Sequence, residues 1–152
     1  MKEFDLQNIF TDVTVTGNKN AALQKMAELF ASKNQLDAKA LLKGFEAREQ
    51  ESTTGFGSGV AIPHTKIAGL KQPLVGMTTF TQPINWESLD EQPVTIAIAL
   101  LMPIADSSKA HLSVLAKFAR KLMDEQFVAD LQAARHQAQS LYQVVTAAID
   151  FD

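Results

Sequence analysis

The residues best suited to chemistry stand in one run, Ser52-Thr53-Thr54-Gly55-Phe56-Gly57-Ser58-Gly59-Val60-Ala61-Ile62-Pro63-His64, passing from hydroxyls through three spaced glycines to a histidine. Gly55, Gly57 and Gly59 free the backbone to turn N–H groups toward a common point, and Ser52, Thr53 and Thr54 add hydroxyl donors beside them. Such a loop suits an anion such as phosphate. Pro63 fixes the backbone directly before the imidazole of His64. The run is not a P-loop, because no Gly-Lys-Ser/Thr follows the glycines, and it is not the dinucleotide fingerprint. The residues alone thus indicate a histidine beside an anion site, with a hydrogen-bonded structural histidine as the ordinary alternative.

Only three histidines are available, and cysteine is absent, which excludes disulfides, thiolate metal sites and a cysteine nucleophile. His111 shares a helical face with Leu115, Phe118 and Leu122, so its default is a satisfied histidine at the edge of a core. It also falls in the first turn of its helix, where free N–H groups and the dipole disfavour imidazolium and favour an anion nearby. His136, in Ala-Ala-Arg-His-Gln, sits among polar residues and is assigned no role. The net charge of −3 and the lack of a Lys/Arg stripe argue against nucleic acid as a partner. No window approaches the ~18 apolar residues of a membrane span, and the start, MKEFDLQNIFTDV, lacks a signal peptide's basic and apolar regions, which predicts a cytoplasmic protein.

The elements that must hold these residues follow from periodicity. Asp12 to Val15 is a short β-prone run, and after Gly17-Asn18 the spacing turns helical with Leu23, Met26, Ala27 and Phe30 on one face. A second helix opens at Asp37 as N-cap, carries Leu41, Leu42 and Phe45 inward, and brings Arg48 near its end. Three strands are predicted at Gly59 to Ile62, Leu74 to Phe80 and Val94 to Met102, the last covered on both faces. Pro103 ends it. Ser107-Ser108 can cap a helix running to about Asp124, with Leu112, Leu115, Phe118, Ala119 and Leu122 as its buried stripe. Two more helices fit Glu125 to Ala134 and Ser140 to Ile149. Helices before, between and after the strands predict an α/β (α+β) fold, a three-layer α/β/α sandwich with a mixed central sheet, in one domain spanning 1–152.

Three ordered motifs carry a resemblance. Arg48 through His64, Asn85-Trp86-Glu87-Ser88-Leu89-Asp90-Glu91-Gln92-Pro93-Val94, and Lys109-Ala110-His111-Leu112 together resemble the enzyme IIA domains of the fructose–mannitol (type-2) family of the bacterial sugar phosphotransferase system. The resemblance implies that His64 is phosphorylated by the phosphocarrier protein HPr and passes the group to a cysteine of a IIB domain. It assigns functional roles to Arg48, whose planar fork suits phosphate, and to His111 as a donor to the phosphoryl group. The anion site of Ser52, Thr53, Thr54, Gly55, Gly57 and Gly59 becomes the phosphoryl-binding set. Glu49 and Glu51 are read as a solvated face or as anchors for Arg48, and Met102, Phe56 and Ile62 as core residues or an apolar rim for docking. Phe56 stands where many relatives have isoleucine or leucine, and Thr65 replaces a common small residue, changes that bear on partner fit.

Transfer to an imidazole nitrogen is a substitution at phosphorus through a loose transition state, so positioning and charge stabilisation suffice. No cofactor or metal is called for. A membrane IIC component would be reached only indirectly, through IIB. A nitrogen-type regulatory IIA, signalling by its phosphorylation state, shares the same site, and the stretch from Trp86 to Asp90 leans toward the sugar branch. A non-catalytic interaction domain, like the related fold in anion exchangers, would not need His64.

Overall fold

The run Val94–Pro103 carries no charged residue and forms the middle strand of the molecule. Its alternate side chains enter two different cores. Ile96, Ile98, Leu100 and Met102 join one apolar cluster, and Ala97, Ala99 and Leu101 join the other. The computed structural model describes residues 3–105 and 110–151. Along them run β1 (Phe4–Val13), α1 (Lys19–Asn34), α2 (Ala38–Glu51), β2 (Gly55–Gly57), β3 (Val60–Ala61), β4 (His64–Ile67), β5 (Leu74–Ile84), β6 (Val94–Pro103), α3 (Ala110–Lys121), α4 (Glu125–Ala134) and α5 (Ala138–Ala148).

The six strands form one mixed sheet in the order β1-β5-β6-β3-β2, with β4 also paired to β6. The pairs β1–β5, β3–β6 and β4–β6 are parallel, and β5–β6 and β2–β3 are antiparallel. Phe30, Leu41 and Phe45 from α1 and α2 cover one face, while Val114, Phe118, Phe127, Leu131 and Val145 from α3 to α5 cover the other. This is the three-layer sandwich.

Packing, more than local propensity, makes α1 a helix. Asn18 caps it by accepting from the N–H of Ala21, worth ~1 kcal/mol, whereas burying each of Leu23, Met26 and Phe30 is worth roughly 1.5–3 kcal/mol. Phe30 packs on the sheet at Gly76, where a Cβ would stand 2.1 Å from its ring. Asp37 caps α2 as the sequence predicts, accepting from the N–H groups of Lys39 and Ala40.

Several boundaries differ from expectation. The β-prone run at Asp12 to Val15 is only the end of β1, which begins at Phe4. Register shifts on both sides of the Ile9–Phe10 pair break the two-residue period that would have revealed it. The strands β2 and β4 carry no readable alternation, and β4 is held by pairing His64–Ile67 along Leu100–Pro103. On α3 the buried stripe is Val114 and Phe118, continued by Leu122; Leu112 is 51% exposed. The expected cap Ser107-Ser108 lies outside the described residues, as does Lys109 of the second histidine motif. No helix among the described residues is long and apolar enough to cross a membrane.

Candidate functional site

A glycine on α2 sets the site. At Gly44 a Cβ would fall 2.4 Å from the hydroxyl of Thr65 and 3.1 Å from its Cβ, so only glycine lets the helix lie this close to β4. One turn further along, Arg48 therefore reaches over the strand to His64. Its Nε–H donates to His64 Nε2 at 3.0 Å, and its Nη1 donates to the carbonyl of Ser52 at 2.8 Å. His64 begins β4 opposite Leu100 and is half-buried.

These contacts fix the tautomer of His64. A guanidinium can only donate, so Nε2 must present its lone pair to Arg48. Nδ1 then carries the proton and donates it to the carbonyl of Ile62 at 2.8 Å. The ring is neutral, oriented from behind, and has its electron pair on the cleft side. The cleft, of about 460 Å³, is lined on its polar side by Arg48, Glu51, His64 and Lys66, and on its apolar side by Leu100, Met102, Leu112 and Leu115. Lys66 is a lining residue that the sequence did not single out, and Leu112, expected in the buried stripe of α3, instead lines the cleft. No sequence signal pointed to Lys66; only the pairing of β4 with β6 puts positions 64 and 66 on one face.

The expected phosphoryl-binding run separates into two groups. Ser52 meets the site: its carbonyl and hydroxyl both face Arg48. Thr53 instead donates to the carbonyl of Trp86 and accepts from the N–H of Gly55. The hydroxyl of Thr54 is buried, bonded to the Glu49 carboxylate and accepting from the indole N–H of Trp86. Gly55 is packed under Ser88, whose hydroxyl a Cβ would meet at 2.2 Å. Gly57 (φ 128°) and Gly59 (φ 81°) shape the β2–β3 turn with Ser58, also left-handed, between them. The Ser58 N–H donates to Asp90, and the Gly59 carbonyl accepts from Thr95 and Ile96. His64 pairs four residues beyond Ile96 on β6, about 13 Å away at strand rise. The glycines therefore do not gather around the histidine.

The remaining sequence candidates fall as follows. His111 is the second residue of α3, and its side chain lies outside the described part. His136 is exposed and bonded to Asp12 at 2.7 Å, away from the cleft. Ile62 and Met102 are core residues, and Phe56 is half-buried against the same cluster. Glu51 is exposed, but the side chain of Glu49 is only 6% exposed and so is no part of a solvated face. In the stretch from Trp86 to Asp90, Trp86 and Ser88 are buried and Asp90 holds the glycine turn, whereas Glu87 and Leu89 are exposed. Among the described residues no group of three or more His, Cys, Asp or Glu is placed to hold a metal ion.

The model of the family described as the phosphoenolpyruvate-dependent sugar phosphotransferase system, EIIA 2, matches residues 3–147. A nitrogen regulatory protein of Pseudomonas aeruginosa is 33% identical over 130 residues, covering 85% of this chain and 83% of its own. A fructose-like EIIA component of the same transport system from Escherichia coli is 32% identical over 123 residues, covering 80% of this chain and 82% of its own. The crystal structure of the nitrogen regulatory protein IIA-Ntr from Neisseria meningitidis superposes with a TM-score of 0.80 at 26% identity, over 93% of this chain and 95% of that one. The mannitol enzyme IIA in complex with phosphorylated enzyme IIB, from Escherichia coli, shares the fold with a TM-score of 0.72 at 15% identity, over 95% of this chain and 99% of that one. This chain belongs to the type-2 EIIA family of the phosphoenolpyruvate-dependent sugar phosphotransferase system.

Proposed function

We propose that this chain is a phosphocarrier that accepts a phosphoryl group from phospho-HPr on Nε2 of His64 and passes it on. The observation that supports this reading most directly is the pair of bonds on the ring, Nδ1–H to Ile62 and Nε2 to Arg48. The Nε2 electron pair attacks the phosphorus of the donor phosphohistidine, a new N–P bond forms, and the donor's N–P bond breaks with its electrons returning to the donor ring. The proton stays on Nδ1, where it is hydrogen-bonded to the Ile62 carbonyl. Arg48 then moves from the nitrogen lone pair to the equatorial oxygens, where its charge offsets theirs. Ser52 supplies a hydroxyl beside Arg48, and His111, near the start of α3, is the proposed further donor. The site must hold the group loosely enough to release it, which suits a cleft open to protein partners.

Two outlets share this chemistry. In the first, the group moves to a IIB cysteine and on toward a sugar, as in the fructose-like branch. The second is regulatory, with phosphorylation itself as the signal; the relatives named nitrogen regulatory proteins favour it. Trp86 itself separates neither, because it is buried in the scaffold. Incubation with phosphoenolpyruvate, enzyme I and HPr is expected to label the wild type and leave His64→Ala unlabelled. Label retained in that variant ends the proposal. Addition of purified IIB domains then decides the outlet: rapid loss of label to a IIB cysteine supports the relay, and retention with all of them supports the regulator.

A further inference from the structure

Glu49 follows Arg48 on α2 but turns inward, with its side chain only 6% exposed. Its carboxylate is satisfied on both oxygens. Oε1 accepts from Lys19 Nζ at 3.2 Å and from the backbone N–H of Thr54 at 3.0 Å, and Oε2 accepts from the hydroxyl of Thr54. That hydroxyl accepts in turn from Trp86 Nε1–H at 3.1 Å. A buried carboxylate is tolerated only when its lone pairs find donors, so this arrangement resists change. It ties the start of α1, the end of α2 and the segment after β5 to the turn that leaves α2.

That turn also carries the Ser52 carbonyl, two residues before Thr54, which receives Arg48 Nη1. An arginine side chain keeps ~2 kcal/mol of rotamer entropy that its partners must overcome. Among the described residues Arg48 has no carboxylate partner, and its guanidinium is oriented by a neutral carbonyl. The nearest carboxylate in sequence acts one step removed, on the turn. Arg48 is thereby aimed without having its charge cancelled, which leaves that charge for a phosphoryl group.

We propose that Glu49 is a positioning residue for phosphoryl transfer, clamping Thr54 so that the Ser52 carbonyl holds Arg48 against His64. The proposal rests on the reading of His64 and Arg48 given above. It also gives the Thr54 hydroxyl a different use from binding phosphate.

The test combines rates with nitrogen spectra of the unphosphorylated protein. In Glu49→Gln the limiting rate of uptake from phospho-HPr is expected to fall about tenfold, or ~1.4 kcal/mol. The HPr concentration for half-saturation should change by less than about twofold, because docking is untouched. Thr54→Val should behave alike and serves if Glu49→Gln folds poorly. On an Arg48→Gln background, itself slow, adding Glu49→Gln should lower the rate no further, since a residue acting through Arg48 has nothing left to position. The Arg48 Nε–H and His64 ring resonances should shift in Glu49→Gln. Additive losses on the Arg48→Gln background, or unmoved resonances in folded Glu49→Gln, overturn the proposal. A wild-type rate in Arg48→Gln overturns it as well, by removing the role assigned to Arg48; shifted resonances would mark that as a failure of the underlying reading.

Discussion

The two ends of the segment 48–59 do different work. At its start, Arg48 meets His64 and is held there by the Ser52 carbonyl. At its far end, Gly57, Ser58 and Gly59 make a hairpin turn held by Asp90, Thr95 and Gln132. Continuity in sequence is misleading here because β3 carries the chain along β6 and away from the turn before β4 begins. Glycines that look like an anion cradle are required by a left-handed turn, and the close approach that matters for the site occurs at Gly44, outside the run.

The contrast can be broken most directly at Gly44. Gly44→Ala places a methyl 2.4 Å from the Thr65 hydroxyl and should lift α2 from β4. We expect a loss of about 1–3 kcal/mol of stability and a transfer rate lowered about tenfold, measured by denaturant unfolding and phosphoryl uptake. Adding Thr65→Ala should restore part of both, because the contact with the Thr65 Cβ, at 3.1 Å, remains. Normal transfer by Gly44→Ala would show that the approach of α2 does not position Arg48.

Gly57→Ala tests the other end. With φ at 128°, an added side chain is strained and should cost about 1–3 kcal/mol of stability, while uptake by the folded fraction stays at the wild-type rate. Slower uptake would bring the glycine turn back into the proposed phosphoryl site.

The smallest effect is expected at Asp90. Hydrogen bonds from the N–H groups of Ser58 and Gln92 hold its carboxyl below the usual aspartate range. Its contribution to stability is therefore complete above the unfolded value of about 3.9 and disappears as pH falls through the lower folded value. Asp90→Asn should melt slightly lower than wild type at neutral pH, and the gap should close in acid. A gap that persists there would mean that the carboxylate charge is not what holds the turn.

The helices were the most legible part of this molecule. Leu23, Met26 and Phe30 repeat at helical spacing behind an asparagine cap, so local pattern and tertiary packing agree. Strand β4 was not legible, because His-Thr-Lys-Ile has no alternation and owes its form to the neighbouring Leu100–Pro103. His64 stood out by residue type, but its tautomer depends on Arg48, sixteen residues away, and on the backbone behind it. The hydroxyls of Thr53 and Thr54 were assigned to an anion because sequence gives a side chain no direction. Trp86, from a distant segment, settled where both of them point.

Arg48 and Leu112 belong to opposite layers of the sandwich. Arg48 rides on α2, rooted in one core by Leu41 and Phe45, and Leu112 rides on α3, rooted in the other by Val114 and Phe118. The cleft between them thus works as a caliper, its jaws carried by separate cores and its spine made of β4 and β6. A protein surface that touches both jaws reads the thickness of the whole sandwich. A change of volume in either core, at the seat of Phe45 beneath α2 or of Phe118 beneath α3, would be felt at the mouth as a change of gauge.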